Sequence, residues 1–334
     1  MKNKYLIAVG LSFLVLFGGC STKKVFEPKK ISKDWKYSKR LEHPLQEVAF
    51  HVALFEDGIL ISKDSNLSNH FHLEKGYRLL AYQNGYVTSA TIDGRLKVEN
   101  IKTSRIKKFD LKKTIATASV KDNILAVLFA DNEIALYDFD TKAPLFQDMG
   151  SSPSVVDARI VPPYFMQDLV LFPTLDGKIV IVNATLKKKL NTIIVSSKQY
   201  FNNIIYFEKH DDKILAATNT MLLSLGAMKQ ERAKYESRNI IYDNHTLYVA
   251  TKQGEILALT TNLQLIQKIK FPFAHFLGMI AKGNKLYILE KEGYLIVLDK
   301  NMKDYNIYNV YVKDGYNFIT KKTFYVADKA IFIK

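Results

Sequence analysis

The chain repeats one local pattern along most of its 334 residues: a short apolar run, a polar turn and a second apolar run. The pattern is clear at 125–139, 169–183, 247–261 and 286–300. Each apolar run has the length and the β-branched and aromatic content of a strand. A single strand–turn–strand unit cannot bury both of its faces, so neighbouring units must stack on one another.

Eight turns of this kind recur at intervals of about 40 residues, the period of propeller repeats. They centre on Gly58, Gly94, Asn132, Gly177, Thr220, Gly254, Gly293 and Lys329. Glycine and asparagine accept the positive φ angles of tight hairpins. A parallel solenoid usually has shorter coils, and a β-sandwich would not keep this period. The sequence therefore predicts an all-β propeller of eight four-stranded blades, with seven blades as the alternative.

The last hairpin ends at the C-terminus, so no residues remain for its outermost strand. We predict that a strand within about 34–50 completes this blade and closes the ring. Residues 152–160 are expected to form an innermost strand, and residues 264–271 an outermost one. The propeller is expected to be one domain over 45–334.

The first residues resemble a bacterial lipoprotein signal peptide. Lys2 and Lys4 precede an apolar stretch at 5–17 that is too short to cross a bilayer, and "GGC" ends at Cys20. Phe17 departs from the small residue usual near that position. The resemblance implies removal of 1–19 and attachment of lipid, palmitate included, to Cys20. Because Cys20 is the only cysteine, the fold cannot rely on disulfides.

Residues 20–44 are rich in lysine and are expected to form a solvated basic tether. In enterobacterial lipoproteins an Asp directly after the lipidated cysteine favours retention at the inner membrane. Ser21 stands at that position here, so the resemblance implies the outer membrane, facing the periplasm. The net charge of +15 admits an acidic partner, but the basic residues are scattered and no RNA-binding signature is present. We therefore expect a membrane contact through the lipid anchor and no nucleic-acid partner.

The segments 152–189, 254–264 and 292–303 resemble the PQQ-like propeller repeat, with its "SP-V" strand and its aliphatic strand ending in Asp. Together with the leader, the layout over 45–334 resembles the BamB family of outer-membrane propeller lipoproteins. That resemblance implies a scaffold in β-barrel assembly, bound to the central barrel-assembly protein. Quinoproteins of the superfamily carry a tryptophan in most blades. Trp35 is the only tryptophan here, so we expect no quinone and no other cofactor.

The sequence offers few groups for chemistry. His70 and His72 would share a strand face but have no third metal ligand at a suitable spacing. His210, Asp211 and Asp212 are more typical of a polar turn than of a catalytic set. Turn chemistry also explains Asp93, Asp131 and Asp176, although a ring of carboxylates would bind a cation. We therefore expect no metal site and no catalytic residues.

One segment is unusual for a loop. Residues 161–168 combine two prolines with three large apolar side chains, a composition that suits an exposed partner-binding knob. The candidate residues are Pro162, Pro163, Tyr164, Phe165 and Met166. The alternative is that Tyr164 and Phe165 pack between blades. A weaker candidate is 270–279, around Phe273 and Phe276.

Two functions from different classes follow. The first is a non-catalytic lipoprotein scaffold that binds an envelope protein as a monomeric propeller within a complex, as in outer-membrane barrel assembly. The second is a propeller that binds or modifies an envelope glycan, peptide or small molecule in its central channel. The lack of a convergent catalytic set favours the scaffold.

Overall fold

The computed structural model describes residues 24–64 and 67–333, and the secondary structure over these residues is entirely β. The first strands are β1 (Lys33–Asp34), β2 (Ser38–Arg40), β3 (Leu45–Ala49), β4 (Val52–Phe55), β5 (Ile59–Ser62), β6 (Ser68–His70), β7 (Arg78–Gln83), β8 (Tyr86–Ala90), β9 (Arg95–Asn100), β10 (Ile106–Asp110), β11 (Ile115–Lys121), β12 (Ile124–Phe129), β13 (Glu133–Asp138) and β14 (Pro144–Met149). The next are β15 (Tyr164–Met166), β16 (Leu169–Pro173), β17 (Lys178–Asn183), β18 (Lys188–Ile194), β19 (Tyr206–His210), β20 (Lys213–Ala217), β21 (Met221–Leu225) and β22 (Gln230–Lys234). The last are β23 (Ser237–Asp243), β24 (Thr246–Thr251), β25 (Glu255–Thr260), β26 (Leu265–Lys270), β27 (Phe276–Lys282), β28 (Lys285–Glu290), β29 (Tyr294–Asp299), β30 (Tyr305–Asn309), β31 (Asn317–Ile319), β32 (Thr323–Val326) and β33 (Lys329–Phe332).

These strands form eight sheets that are the blades of a β-propeller, which confirms the predicted fold. Blades 1 to 7 take consecutive strands from β3 to β30, and blade 8 has the order β31-β32-β33-β2. The first strand of each blade is the innermost, since β3, β7, β23, β27 and β31 contact their counterparts in neighbouring blades. Strands next to each other within a blade are antiparallel.

Burial follows the position of each strand within its blade. The second and third strands are apolar on both faces: β12 and β13 are buried almost throughout, because neighbouring blades stack on each side. Outermost strands such as β18 and β26 are largely exposed. The core is accordingly a series of clusters between adjacent blades, as between blades 2 and 3 and between blades 3 and 4.

The turns explain why the repeat tolerates few residue types at its centre. Gly177 has a φ of 83°, and a Cβ there would lie 2.6 Å from the carbonyl oxygen of Ser196. Asn132 takes the equivalent place in blade 3 with a φ of 72°. Its side chain is fully buried, donates to the Ser151 carbonyl at 2.9 Å and accepts from the Leu175 amide at 2.8 Å. An asparagine therefore replaces glycine here and also links blade 3 to blade 4.

The ring closes as predicted. β2 is the outermost strand of blade 8 and pairs antiparallel with β33, so strands from both ends of the chain share one sheet. β1 adds a parallel fifth strand to blade 7 beside β30. Trp35 stands between them and donates its indole N–H to the Phe332 carbonyl at 2.9 Å. The seven-bladed alternative is wrong.

Two details of the predicted layout need correction. Residues 152–160 contain no strand; the innermost strand of blade 4 is the short β15. The segment 20–44 is not a free tether over its described part, because Phe26 is only 5% exposed and meets Phe271 edge-on at 6.1 Å. By contrast, β26 lies at the outer edge of blade 6, as expected for 264–271.

We predict that Trp35→Ala will lower the free energy of unfolding by about 3 kcal/mol, since a large ring and a hydrogen bond at the closure are lost together. Trp35 also contacts Tyr308 with ring centroids 5.0 Å apart. Urea unfolding followed by circular dichroism measures the change. Trp35→Phe keeps an aromatic ring and should cost only about 1 kcal/mol. Equal stability of Trp35→Ala and wild type would contradict a closure that depends on this residue.

Candidate functional site

Because strands alternate in direction, the propeller has two distinct faces. One face carries the connections between blades, such as 150–163, 195–205 and 310–316, together with the turns between second and third strands. We call it the loop face. The other carries only the short turns within blades, and we call it the turn face. Functional loops on rigid scaffolds are usually the longer ones, so the loop face is the first candidate surface.

The central channel is divided into two cavities. The cavity on the loop face has a volume of about 590 Å³, and the cavity on the turn face about 610 Å³. Phe50 and His51 line both cavities. These two side chains therefore form a plug near the middle of the channel.

The plug results from the shortness of β3, which ends at Ala49. Phe50 then forms a parallel bridge to Ala81 of blade 2, and His51 turns with a φ of 60°. The Phe50 ring stacks on His51 at 3.8 Å and packs against the cluster between blades 4 and 5, which includes Phe207. Blade 1 thus contacts blades on the far side of the ring.

Polar contacts cross the channel at the same level. Lys63 of blade 1 pairs with Glu208 of blade 5 at 3.6 Å, and these blades lie opposite each other in a ring of eight. Glu208 also accepts from the Tyr206 hydroxyl at 2.9 Å and lies 2.8 Å from Nε2 of His210. Burial, and next the charge of Glu208, raise the pKa of Tyr206 well above its usual range. These contacts link blade 1 to blade 5 across the channel.

His51 is held neutral by its surroundings. Burial is the main cause that lowers its pKa from 6.5 to about 4, and the charge of Lys63 adds to it. The carboxylates of Asp64 and Glu208 oppose this shift without reversing it. The plug therefore carries no charge of its own near neutral pH.

The histidines and carboxylates named from sequence are not brought together. His70 lies on the outermost strand of blade 1, and His72 is exposed in the next connection. Asp211 is in the turn after β19 and faces His245 at 3.8 Å, with its neighbours His210 and Asp212 before and after it. Within residues 24–64 and 67–333 there is no group of three or more His, Cys, Asp or Glu side chains that would hold a metal ion.

Each of the three turn aspartates pairs with a neighbouring cation. Asp93 pairs with Arg95 at 3.1 Å, Asp131 with Lys113 at 2.7 Å and Asp176 with Lys178 at 2.5 Å. Each lies in the turn between the second and third strands of a different blade. A neighbouring cation or hydroxyl donor therefore accounts for each carboxylate singly, as turn chemistry predicted.

The loop-face mouth of the channel is lined by three arginines: Arg78, Arg159 and Arg238. Asp157 holds Arg159 through a contact of 2.8 Å. Arg238 has no carboxylate among its described contacts: one of its terminal nitrogens lies 2.9 Å from Nε2 of His275. Burial, and next the charge of Arg159, lower the pKa of Arg238. Glu47 lies in the same lining and its charge acts on Arg78, so the mouth combines three partly buried arginines with neighbouring carboxylates.

Exposed aromatic rings gather on the same face. Of the seven aromatic side chains that are exposed among the described residues, five lie in connections between blades. They are Tyr200, Phe201, Phe273, Tyr311 and Tyr316. Tyr316 lines the mouth itself, and the Phe201 carbonyl accepts from Asn219, which in turn accepts from Arg159. Tyrosine and arginine are the residues that dominate binding hot spots.

The predicted knob at 162–166 is not an exposed loop. Pro162 and Pro163 are buried, and Tyr164, Phe165 and Met166 form strand β15 and are half-buried. Tyr164 meets Phe207 at 5.4 Å, as expected from the alternative in which these rings pack between blades. The weaker candidate, the segment 270–279, is exposed only in part. Phe273 is 57% exposed, whereas Phe276 is buried.

The loop-face residues that the sequence did not single out are Tyr200, Phe201, Tyr311, Tyr316 and the three arginines. The sequence does contain a partial signal for the aromatic residues. They stand between the predicted blades, where no alternating strand pattern accounts for an apolar side chain. Cys20 and the leader lie outside the described residues. Over the part of the chain that the structure describes, no helix is long and apolar enough to cross a membrane.

The chain is similar in sequence to the plasminogen-binding protein PgbB of Helicobacter pylori strains J99 and 26695. Identity is 28% in both cases, over 93% of this chain and 65% of the relatives, so the chain spans less than two thirds of their length. No protein-family description matches it.

Solved structures show a likeness of fold alone. BamB from Moraxella catarrhalis has a TM-score of 0.65 at 13% identity, covering 89% of this chain and 98% of that one. The C-terminal WD40 domain of Sif2 has a TM-score of 0.63 at 12% identity, covering 90% and 99%. The chain thus shares its β-propeller fold with BamB and with this WD40 domain.

The state of His51 predicts a dependence of stability on pH. Since its folded pKa is below its unfolded pKa, the unfolded chain takes up the proton first, so stability present above pH 6.5 is lost as the pH falls towards about 4. The loss should approach about 3 kcal/mol, since each pKa unit corresponds to about 1.4 kcal/mol. His51→Gln should lose less over the same range, as measured by urea midpoints. Parallel curves for the two proteins would rule out this role for His51.

Proposed function

We propose that the protein is a non-catalytic, protein-binding propeller of the bacterial cell envelope, and that it binds its partner with the loop face. The observation that carries this is that five exposed aromatic rings lie in connections of the loop face, one of them, Tyr316, at a mouth that three arginines line. Rigid blades position these loops, so little ordering is needed when a partner binds. The similarity to a plasminogen-binding protein, which spans 93% of this chain, supports protein binding as the activity.

Two partner classes deserve testing. The similarity to PgbB supports a host protein, plasminogen, as a ligand. The likeness of fold to BamB supports the finer hypothesis from the sequence, a scaffold in outer-membrane barrel assembly that contacts the central assembly protein. We place plasminogen first, because that relation is visible in the sequence and not only in the fold.

The alternative of a small ligand in the central channel has one observation in its favour, the cavity of about 590 Å³ behind the arginines. Because Phe50 and His51 divide the channel, a ligand that enters from the loop face would stay at the loop-face mouth. A peptide or glycan bound there would still contact the loop face, so the same variants report on it.

We predict that Phe201→Ala and Tyr316→Ala will each weaken binding to immobilised human plasminogen by about 1–3 kcal/mol, the usual scale for an aromatic anchor. Both side chains are more than half exposed, so the fold should be kept. Leu186→Ala is the matched control, since Leu186 is 66% exposed on the turn face. Surface plasmon resonance measures the affinities.

Several results would redirect the proposal. Plasminogen binding that is unchanged in both aromatic variants would exclude the loop face. If wild type binds no plasminogen but crosslinks in membranes to the barrel-assembly machinery, the second partner class would hold. Binding to neither, with normal levels of folded outer-membrane barrels in a deletion strain, would favour the channel ligand.

We also propose that the chain is a lipoprotein anchored through Cys20 in the outer membrane and facing the periplasm. The apolar stretch at 5–17 followed by "GGC" supports this. Cys20→Ala should abolish incorporation of labelled palmitate, because no other cysteine is available to accept lipid. Labelling that persists in the variant would contradict the assignment, and Ser21→Ala serves as the control with unchanged labelling.

A further inference from the structure

The start of the described chain lies on the propeller surface between blades 6 and 7. Phe26 is buried there and contacts Phe271 and Tyr294 edge-on, at 6.1 and 5.7 Å. The segment around it follows the connection at 271–275 and the outermost strand of blade 7. Phe26 therefore fastens the start of the described chain to blades 6 and 7.

This attachment limits the distance from the proposed anchor. Only three residues separate Cys20 from Lys24, where the described structure begins, so even a fully extended chain spans at most about 14 Å between them. A lipid on Cys20 would thus hold this side of the propeller close to the bilayer surface. A free tether of 25 residues would have left the orientation open.

The surface beside Phe26 has the composition of a membrane-contacting face. It carries four exposed lysines, Lys24, Lys29, Lys30 and Lys270, against one carboxylate, Glu27. Exposed apolar side chains lie among them: Phe273 is 57% exposed, Val25 40% and Tyr305 47%. Lys24 lies over the Phe273 ring at 5.5 Å from its centre. Basic side chains around exposed apolar groups suit an anionic bilayer interface.

We propose that this surface, which we call the basic face, docks on the anionic phospholipid of the bilayer and orients the propeller there. The occupant is lipid because the charge is complementary to anionic headgroups and because the chain that leads to the proposed anchor leaves from this face. The inference on orientation rests on the proposed lipidation, but the affinity of the basic face for lipid does not.

The experiment separates these two points by using a chain without its anchor. All eight blades are formed by residues 33–332, so a chain starting at residue 20 with Cys20→Ser keeps every blade. Co-sedimentation with vesicles of phosphatidylcholine mixed with phosphatidylglycerol should show binding that weakens with salt. Vesicles of phosphatidylcholine alone should bind far less.

The charge-reversal variant Lys29→Glu with Lys270→Glu should reduce partitioning about tenfold or more, because each lysine near an anionic surface contributes appreciably. The matched control is Lys187→Glu with Lys188→Glu, which changes the net charge equally on exposed positions of blade 4. Phe273→Ser should also reduce partitioning. The proposal would be overturned if the anchorless chain without charge changes did not bind these vesicles. Equal loss of binding in the two charge variants would also overturn it. Neither result bears on palmitate labelling of Cys20 or on plasminogen binding.

Discussion

Pairing between β2 and β33 is the interaction on which the rest of the structure depends. A propeller blade buries its faces only against its neighbours, so an open ring would expose the faces of its first and last blades. Here Ser38–Arg40 completes the sheet that ends with Lys329–Phe332, and no blade is left without two neighbours. The network around Trp35 secures this sheet to blade 7, because the indole meets Tyr308 while its N–H binds Phe332.

Closure also determines what the functional surfaces are. It draws the N-terminal segment down to Phe26 onto blades 6 and 7, so the lysines at 24–30 belong to the propeller surface. It also brings blade 1 opposite blade 5, where Lys63 and Glu208 pair across the channel beside the plug. With the middle of the channel filled by Phe50 and His51, binding is confined to the outer surfaces and the two mouths.

The sequence predicts the parts of this structure that are local. Hairpins such as β24–β25 depend on apolar runs and on one turn glycine, so their period reveals the blades. It misplaces the innermost strand of blade 4, because β15 is only three residues long and follows two buried prolines. For the same reason the sequence pattern predicts a loop at Tyr164 and Phe165, which in fact belong to β15. Arg78, Arg159 and Arg238 are far apart in the chain and meet only once the ring is closed, so no local pattern predicts the mouth.

The loop-face mouth and the basic face lie at different parts of the ring, so that one propeller has room for both lipid and a protein partner. Phe273 is in a connection between blades 6 and 7, whereas Phe201 is in the connection that leads into blade 5. A bilayer that touches the ring at the edge of blades 6 and 7 need not cover the connections of blades 3 to 5. The exposed ring of Phe201 and the network of Arg159 with Asn219 would then remain open to a protein. One rigid propeller is thus able to hold lipid at one edge and a partner at another, since its blades fix both surfaces without a hinge.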